Sequence, residues 1–249
     1  MKIQLIRNAT MKITYAGRTL LTDPMLGPKD AYKPFAGIAR NPTIDLPFQI
    51  EEIVKGVESI VVSHDHPDHF DKSASAVLPK SAPVFCQPVD GARMTEAGFR
   101  TVIPIETAYE WEGITITRTG GRHGSGKVLE FIGEVSGFVF QANAEPTVYW
   151  VGDSIWCQPV KSTIETFKPD IIITHSGGAR LPGFETIIMD EEQTLTTVRA
   201  APQAVVVAIH LEALDHCGVS REALRQLADK EAIPPTRLLI PKDGETLIF

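Results

Sequence analysis

Three imidazoles and a ligand-type aspartate, Asp68, fall within six residues in the run His64-Asp65-His66-Pro67-Asp68-His69. Such a cluster is costly to bury unless something positive holds it together, because buried polar and charged groups need partners. Neutral imidazole and carboxylate are the ligands that zinc, iron and manganese share. A His-x-His pair just past a strand can send two rings toward one ion. The Asp-His pair that follows, on a turn entering a helix, can face a second.

The chain holds further candidates where probable strands end. His123 lies in a glycine-rich turn, Asp153 in Val151-Gly152-Asp153-Ser154, and His210 directly after Ala204–Ile209. Five of the seven histidines thus join one pattern. We assign His64, His66 and His123 to one cation and Asp68, His69 and His210 to a second, with Asp153 between them. Gly152 lets the backbone come close at that point. Two cations about 3.5–4 Å apart would share a hydroxide, since a metal lowers the pKa of bound water from about 15.7 to about 7. Asp68 could also orient that water or take its proton. His175, after the strand Asp170–Thr174, is expected on the same edge, where it could bind substrate or donate a proton to the leaving group, or be a plain loop histidine. Arg122 could attract an anionic substrate or be a solvated loop arginine. Trp156 and Phe184 could wall the pocket or simply pack. His216 is expected on the surface.

The elements that must place these groups read as two halves. The first opens with strands Lys2–Arg7, Thr10–Tyr15 and Thr19–Thr22, the last two joined at Ala16-Gly17-Arg18 as a hairpin. A loop-rich segment follows from Asp23 to Leu46, with Pro24, Pro28, Pro34 and Pro42 inside it and Pro47 just beyond. Loops this long in compact domains are often functional. A helix Pro47–Lys55 and strand Ser59–Val62 then deliver the histidine cluster. Asp71 can cap a helix through Ser75–Leu78. Strand Val84–Cys86, helix Val89–Ala97 and strands Arg100–Ile105 and Ile114–Thr119 complete the half. The second half restarts with strands Val135–Gln141 and Thr147–Val151. Helix Pro159–Phe167, strand Asp170–Thr174, helix Glu191–Ala200 capped by Asp190, and strand Ala204–Ile209 follow. Helix Ser220–Lys230 and strands Arg237–Ile240 and Glu245–Phe249 close the chain. No linker or low-complexity break appears, so residues 1–249 are expected to form a single α/β (α+β) domain, with sheet against sheet and helices outside.

Bulk properties narrow the classes. Apolar content of 43% and charged content of 22% are those of a soluble globular protein. The net charge of −7 disfavours a nucleic-acid binder, which needs a basic footprint. No apolar run is long enough for a bilayer, and no membrane association is expected. The expected setting is cytoplasmic. Cys86, Cys157 and Cys217 are scattered and form no CxxC, so neither a disulfide framework nor a thiolate site is implied. Cys157 lies near Asp153 in sequence and keeps a pocket role open.

The HxHxDH run followed by His123, Asp153 and His210 resembles the metallo-β-lactamase-fold hydrolases over nearly the whole chain. Within that superfamily it looks closest to the L-ascorbate-6-phosphate lactonase-like metal-dependent hydrolases. The stretches that carry this are Asn8-Ala9-Thr10, Leu21-Thr22-Asp23-Pro24, Gly177-Gly178 and Met189-Asp190. The resemblance implies a four-layer αββα sandwich with metals at the sheet edges. It also implies that Asp23 holds a metal-bound imidazole in its tautomer, the equal alternative being a turn residue before Pro24. That branch often has histidine where this chain has Asn8, and asparagine carries no proton near neutral pH. Flavodiiron oxidoreductases of the superfamily usually place glutamate at the position of His66, which favours hydrolysis here.

The expected activity is therefore a binuclear hydrolase acting on a small-molecule ester, lactone or phosphodiester. Its cofactors would be two divalent ions, zinc by default, with manganese or iron open. Two other readings stand beside it: a metal-bound ligand-binding or sensing protein with little turnover, and a di-iron oxidoreductase. A homo-oligomer is permitted but not required.

Overall fold

The computed structural model describes residues 1–249. In the first half, β1 (Lys2–Arg7), β2 (Thr10–Tyr15) and β3 (Arg18–Thr22) form an antiparallel meander. β4 (Ser59–Val62), β5 (Val84–Cys86) and β6 (Val102–Pro104) then add in parallel beside β3. In the second half, β7 (Ala108–Trp111), β8 (Ile114–Gly120), β9 (Ser136–Gln141) and β10 (Val148–Trp150) run antiparallel. β11 (Ile171–His175), β12 (Val205–Ile209) and β13 (Leu238–Leu239) continue in parallel from β10. The last strand, β14 (Thr246–Ile248), crosses back to pair with β1. The result is two seven-stranded sheets, ordered β14-β1-β2-β3-β4-β5-β6 and β13-β12-β11-β10-β9-β8-β7.

Helices cover the outer faces: α1 (Ile50–Val54), α2 (Lys72–Val77) and α3 (Gly91–Glu96) on the first sheet, and α4 (Gln158–Phe167), α5 (Glu191–Ala200) and α6 (Arg221–Lys230) on the second. The four layers αββα follow from which strand faces are apolar. Alternate residues of β2, namely Met11, Ile13 and Tyr15, enter the core between the sheets. The parallel strands bury both faces and so read as unbroken apolar runs. In β4, Val61 faces the other sheet while Ile60 and Val62 face α1–α3. In β12, Val207 and Ile209 face inward while Val206 and Ala208 face α4–α6.

Most elements lie within a few residues of their sequence-based limits, and the differences have local causes. Asp71 caps its helix as expected, accepting from the Ala74 backbone N–H at 2.6 Å, and that helix stops at Val77, one residue short of Leu78. β7 was not expected. It is an edge strand whose side chains are mostly exposed, so it lacks the apolar alternation that marks a strand. Its turn residues Glu112 and Gly113 both take positive φ, which suits a tight hairpin. The long segment after β3 contains no helix or regular strand, but it is tied down. The fully buried Arg7 donates to the carbonyls of Met25, Gly27 and Ile44. The parallel strands β4, β10, β11 and β12 all end at one edge, the usual ligand edge of such sheets. No helix is long and apolar enough to cross a membrane.

Candidate metal centre

The structure brings His64, His66, Asp68, His69, His123, Asp153 and His210 together at that edge. His64, His66 and His123 form one group, and His69, Asp153 and His210 a second, which also contains His175. Asp68 Oδ2 lies 3.5 Å from His69 Nε2 and 3.4 Å from His210 Nε2. Asp153 Oδ2 stands between the groups, 3.2 Å from His69 Nε2, 3.6 Å from His123 Nε2 and 3.9 Å from His64 Nε2.

Backbone conformations that side chains rarely adopt hold this geometry. Asn8, Asp23 and His210 have φ of 58°, 37° and 61°. Non-glycine residues in that region are uncommon and tend to gather at functional sites. Gly152, at φ 71°, turns the chain from β10 into Asp153, and a Cβ there would strike the Ser136 carbonyl. Gly177 is equally confined, because a Cβ would strike the carbonyl of His210.

Which nitrogen of each ring faces the cluster follows from what the other nitrogen bonds. The His123 Nδ1–H donates to the Ile187 carbonyl at 2.9 Å, leaving Nε2 inward. The His66 Nε2–H donates to the Ile132 carbonyl at 2.9 Å, leaving Nδ1 inward. Asp23 Oδ2 accepts from both the Ser63 hydroxyl and His69 Nδ1, each at 2.6 Å. With its single hydrogen given to Asp23, the Ser63 oxygen accepts from His64 Nδ1 at 3.0 Å. The Cys217 thiol donates to the His210 carbonyl at 3.7 Å, so its sulfur can accept from His210 Nδ1 at 3.6 Å. Five ring nitrogens therefore turn inward with their outer nitrogens occupied, four of them within 4 Å of Asp68 or Asp153 and the fifth, His66 Nδ1, against His64 Nε2. The partner of a ligating imidazole's other nitrogen fixes its tautomer in this way in metal sites.

Two observations test whether a cation fits. His64 Nε2 and His66 Nδ1 face each other at 2.9 Å, an arrangement of two lone pairs that a positive ion relieves. His210 Nε2 is sealed from solvent and makes no aligned hydrogen bond, although two carboxylates lie within 4 Å. The donor set, imidazole with carboxylate, suits zinc, iron or manganese.

The local field favours positive charge. Burial would lower the His210 pKa, but Asp153, the Cys217 sulfur and Asp68 outweigh it and raise it to about 10. His69 is likewise raised: burial opposes, and Asp153, Asp68 and Asp23 prevail. Burial would raise Asp68 and Asp153, but the imidazoles hold both well below the usual carboxylate range. His64 and His123, farther from the carboxylates, are lowered mainly by burial, His123 to about 4.

His175 requires a correction. It ends β11 rather than lying in the loop, and it is fully buried, so it cannot reach a substrate. The Trp150 indole N–H donates to its Nε2 at 2.9 Å, which leaves the proton on Nδ1 to bond Asp153 Oδ1 at 2.5 Å. With both nitrogens committed, the ring orients Asp153 and has no lone pair for a metal. Asn8 is also buried; its side-chain N–H₂ donates to the Asp68 carbonyl at 3.1 Å and its backbone carbonyl accepts from the His210 N–H at 3.0 Å. It braces two ligand loops. Arg122 is exposed, with its side chain unpaired. Trp156 and Cys157 pack with the α4–α6 layer and do not line the cavity over the cluster.

That cavity measures about 390 Å³, within the range of small-molecule pockets. Its floor is His66, Asp68, His123 and Asp153. Its walls include Phe35, Phe131, Ile132, Leu181 and Ile187, and none of its twelve lining residues is lysine or arginine. Phe184 backs Phe131 edge-on, with ring centroids 5.4 Å apart. His216 was expected on the surface but lines this cavity, its ring edge-on to Phe35 at 5.2 Å. The signal for it in sequence was slight: a lone histidine six residues after His210.

Residues 18–211 match the sequence model of the Beta-lactamase superfamily domain. The UPF0173 protein YddR of Bacillus subtilis (strain 168) is 35% identical over 255 aligned residues, covering 100% of both chains. The crystal structure of a possible metal-dependent hydrolase from Veillonella parvula DSM 2008 superposes with a TM-score of 0.96 at 36% identity, covering 99% of this chain and 98% of that one. The isothiocyanate hydrolase from Delia radicum gut bacteria superposes with a TM-score of 0.95 at 34% identity, covering 100% and 99%.

Proposed function

The chain belongs to the beta-lactamase superfamily and is a metal-dependent hydrolase, and we propose that it carries two divalent cations and cleaves a small uncharged substrate bearing an apolar group. The observation that carries the two-cation reading is the gathering of five outward-anchored imidazoles around Asp68 and Asp153, four of them within 4 Å of a carboxylate. His64, His66 and His123 would hold one ion and Asp68, His69 and His210 the other, with Asp153 shared. When bound, such ions supply Lewis acidity and a water acidic enough to attack at neutral pH. Zinc is the default, with manganese and iron compatible with the same donors.

The remaining work falls to the chain's own residues. Asp153 has both oxygens engaged, with His175 and His69, and so is fixed. Asp68 meets imidazoles through Oδ2 alone, which leaves its Oδ1 to accept a hydrogen bond from the attacking water. Phe35, Phe131, Ile132, Leu181 and Ile187 enclose the substrate's apolar part and exclude bulk water.

A phosphorylated substrate would be expected to meet a basic side chain, as phosphate recognition generally uses arginine or lysine. The cavity offers none, which favours an uncharged lactone, ester or isothiocyanate over a phosphodiester. The 34%-identical isothiocyanate hydrolase makes the last the first to test. In that reaction R–N=C=S and water give R–NH₂ and O=C=S: a C–O bond forms, the C–N bond breaks, and both water protons end on nitrogen.

The test is a panel of phenethyl isothiocyanate, a neutral lactone and bis(p-nitrophenyl) phosphate, assayed with zinc-, manganese- or iron-loaded protein. Turnover of a neutral member that is lost in Asp153→Ala supports the reading. Turnover confined to the phosphodiester contradicts the substrate class. Tight binding without turnover contradicts the enzyme.

A further inference from the structure

Of the seven histidines, six have at least one ring nitrogen within hydrogen-bonding distance of a protein group. His216 is the exception. Its Nδ1 is sealed from solvent without a partner, and no protein group bonds its Nε2. A neutral imidazole has one N–H and one lone pair. Nε2 is not sealed, so it is the nitrogen that can meet a ligand in the cavity, while the sealed Nδ1 is left uncompensated. A buried polar atom without a partner costs about 1–3 kcal/mol and calls for an explanation. Burial also lowers the pKa of His216, so its ring stays neutral.

The ring's surroundings hold it in place rather than satisfy it. The carbonyl of His216 accepts from the Arg180 N–H at 2.9 Å. The next residue back, Asp215, accepts from the N–H groups of Phe35, Ala36, Ile38 and Ala39 and from the Asn41 side chain. That clamp brings the Phe35 loop against the His216 ring, which meets it at 81°. His216 thus stands as a fixed polar group in a mostly apolar wall, facing the same cavity as Asp68 and Asp153.

We propose that His216 is a substrate-contacting residue whose Nε2–H donates a hydrogen bond to the substrate atom that gains electron density when its neighbouring carbon is attacked. For an isothiocyanate that atom is nitrogen or sulfur; for a lactone it is the carbonyl oxygen. The proposal rests on the reading that this cavity holds the substrate. It adds a polar contact from the loop after β12 to a site otherwise built from metal ligands and apolar walls. It also gives the Asp215 clamp a purpose, because the clamp sets the ring and the Phe35 wall together.

The experiment compares wild-type protein with His216→Phe, which keeps a ring against Phe35 but cannot hydrogen-bond, and His216→Gln, which restores an N–H donor. Metal content and melting temperature are measured alongside the kinetics on phenethyl isothiocyanate. His216→Phe is expected to lose about ten- to a hundredfold in kcat/KM, chiefly in kcat, as for one hydrogen bond to a charge-bearing atom. Metal content should be unchanged, and His216→Gln should recover part of the loss. Unchanged kcat/KM in His216→Phe overturns the proposal, and so does a loss that tracks falling metal content. If the wild type turns over nothing in the panel, the functional reading fails by itself. His216 is then judged by ¹⁵N imidazole spectra during titration with phenethylthiourea, a neutral unreactive probe. A shift of the resonance that is missing in His216→Phe upholds the contact; no shift on saturation overturns it.

Discussion

Replacing Asp23 with asparagine should weaken one cation far more than the other. Asp23 is fully buried and accepts three hydrogen bonds, from the Ser63 N–H at 2.7 Å and from the Ser63 hydroxyl and His69 Nδ1 at 2.6 Å each. Asparagine supplies one acceptor oxygen. If that oxygen keeps the Ser63 N–H, the new N–H₂ abuts the His69 Nδ1–H. The ring relieves this by moving its proton to Nε2, the nitrogen that faces Asp68 and Asp153. A protonated Nε2 cannot ligate. The loss is that of a hydrogen bond to a charged group, about 1.5–3 kcal/mol, or roughly 10–150-fold in affinity. That agrees with the 10–100-fold typical of residues that orient metal ligands. Competition against a chelating dye, with elemental analysis, should show two tight ions in the wild type. In Asp23→Asn the ion at His69 and His210 should weaken by about 10–100-fold, and the ion at His64, His66 and His123 by much less. Two ions bound as tightly as in the wild type would refute the tautomer argument.

Three further outcomes follow from the same geometry. Asn8→Ala should destabilise by about 2–3 kcal/mol, combining one hydrogen bond with the cost of a positive φ, while Asn8→Gly, which tolerates that φ, should lose only about 1 kcal/mol; denaturant midpoints would separate the two. His175→Phe removes the partner of Asp153 Oδ1 and leaves the Trp150 N–H unpaired, so metal affinity should fall about 10–100-fold; an unchanged affinity would show that Asp153 is held by other means. For Asp215, burial opposes ionisation, but the Asn41 side chain and the N–H groups of Phe35, Ile38 and Ala39 prevail and lower its pKa. A carboxyl depressed in the folded state contributes stability above its unfolded pKa and loses it as pH falls through the folded value. Asp215→Asn should therefore flatten the stability profile on the acid side of about pH 4, and an acid limb identical to the wild type's would contradict it.

The histidine–aspartate cluster was legible because its residue types are expensive to bury and because its members sit where strands end. β4 and β12 bury both faces, so their sequences are continuous apolar stretches that point directly at His64 and His210. The two-sheet sandwich was legible for the same reason. What the sequence hid was mostly orientation. Whether His175 faces substrate or Asp153 depends on Trp150, 25 positions away, and on one residue of strand length. Asn8 looked like a missing proton carrier, but its value lies in bracing Asp68 and His210 through a bulged end of β1. His216 was hidden because the Phe35 loop that covers it has no periodicity to read. β7 was hidden because exposed edge strands carry little apolar pattern.

Seven side chains are proposed to hold a pair of cations. The direct measurement is a crystal structure of zinc-supplemented protein with anomalous differences recorded on both sides of the zinc edge. Two peaks are expected, one among His64, His66 and His123 and one among Asp68, His69 and His210, with Asp153 reaching both. One peak only, a peak ligated by His175, or no peak with these seven residues still clustered would contradict the proposal.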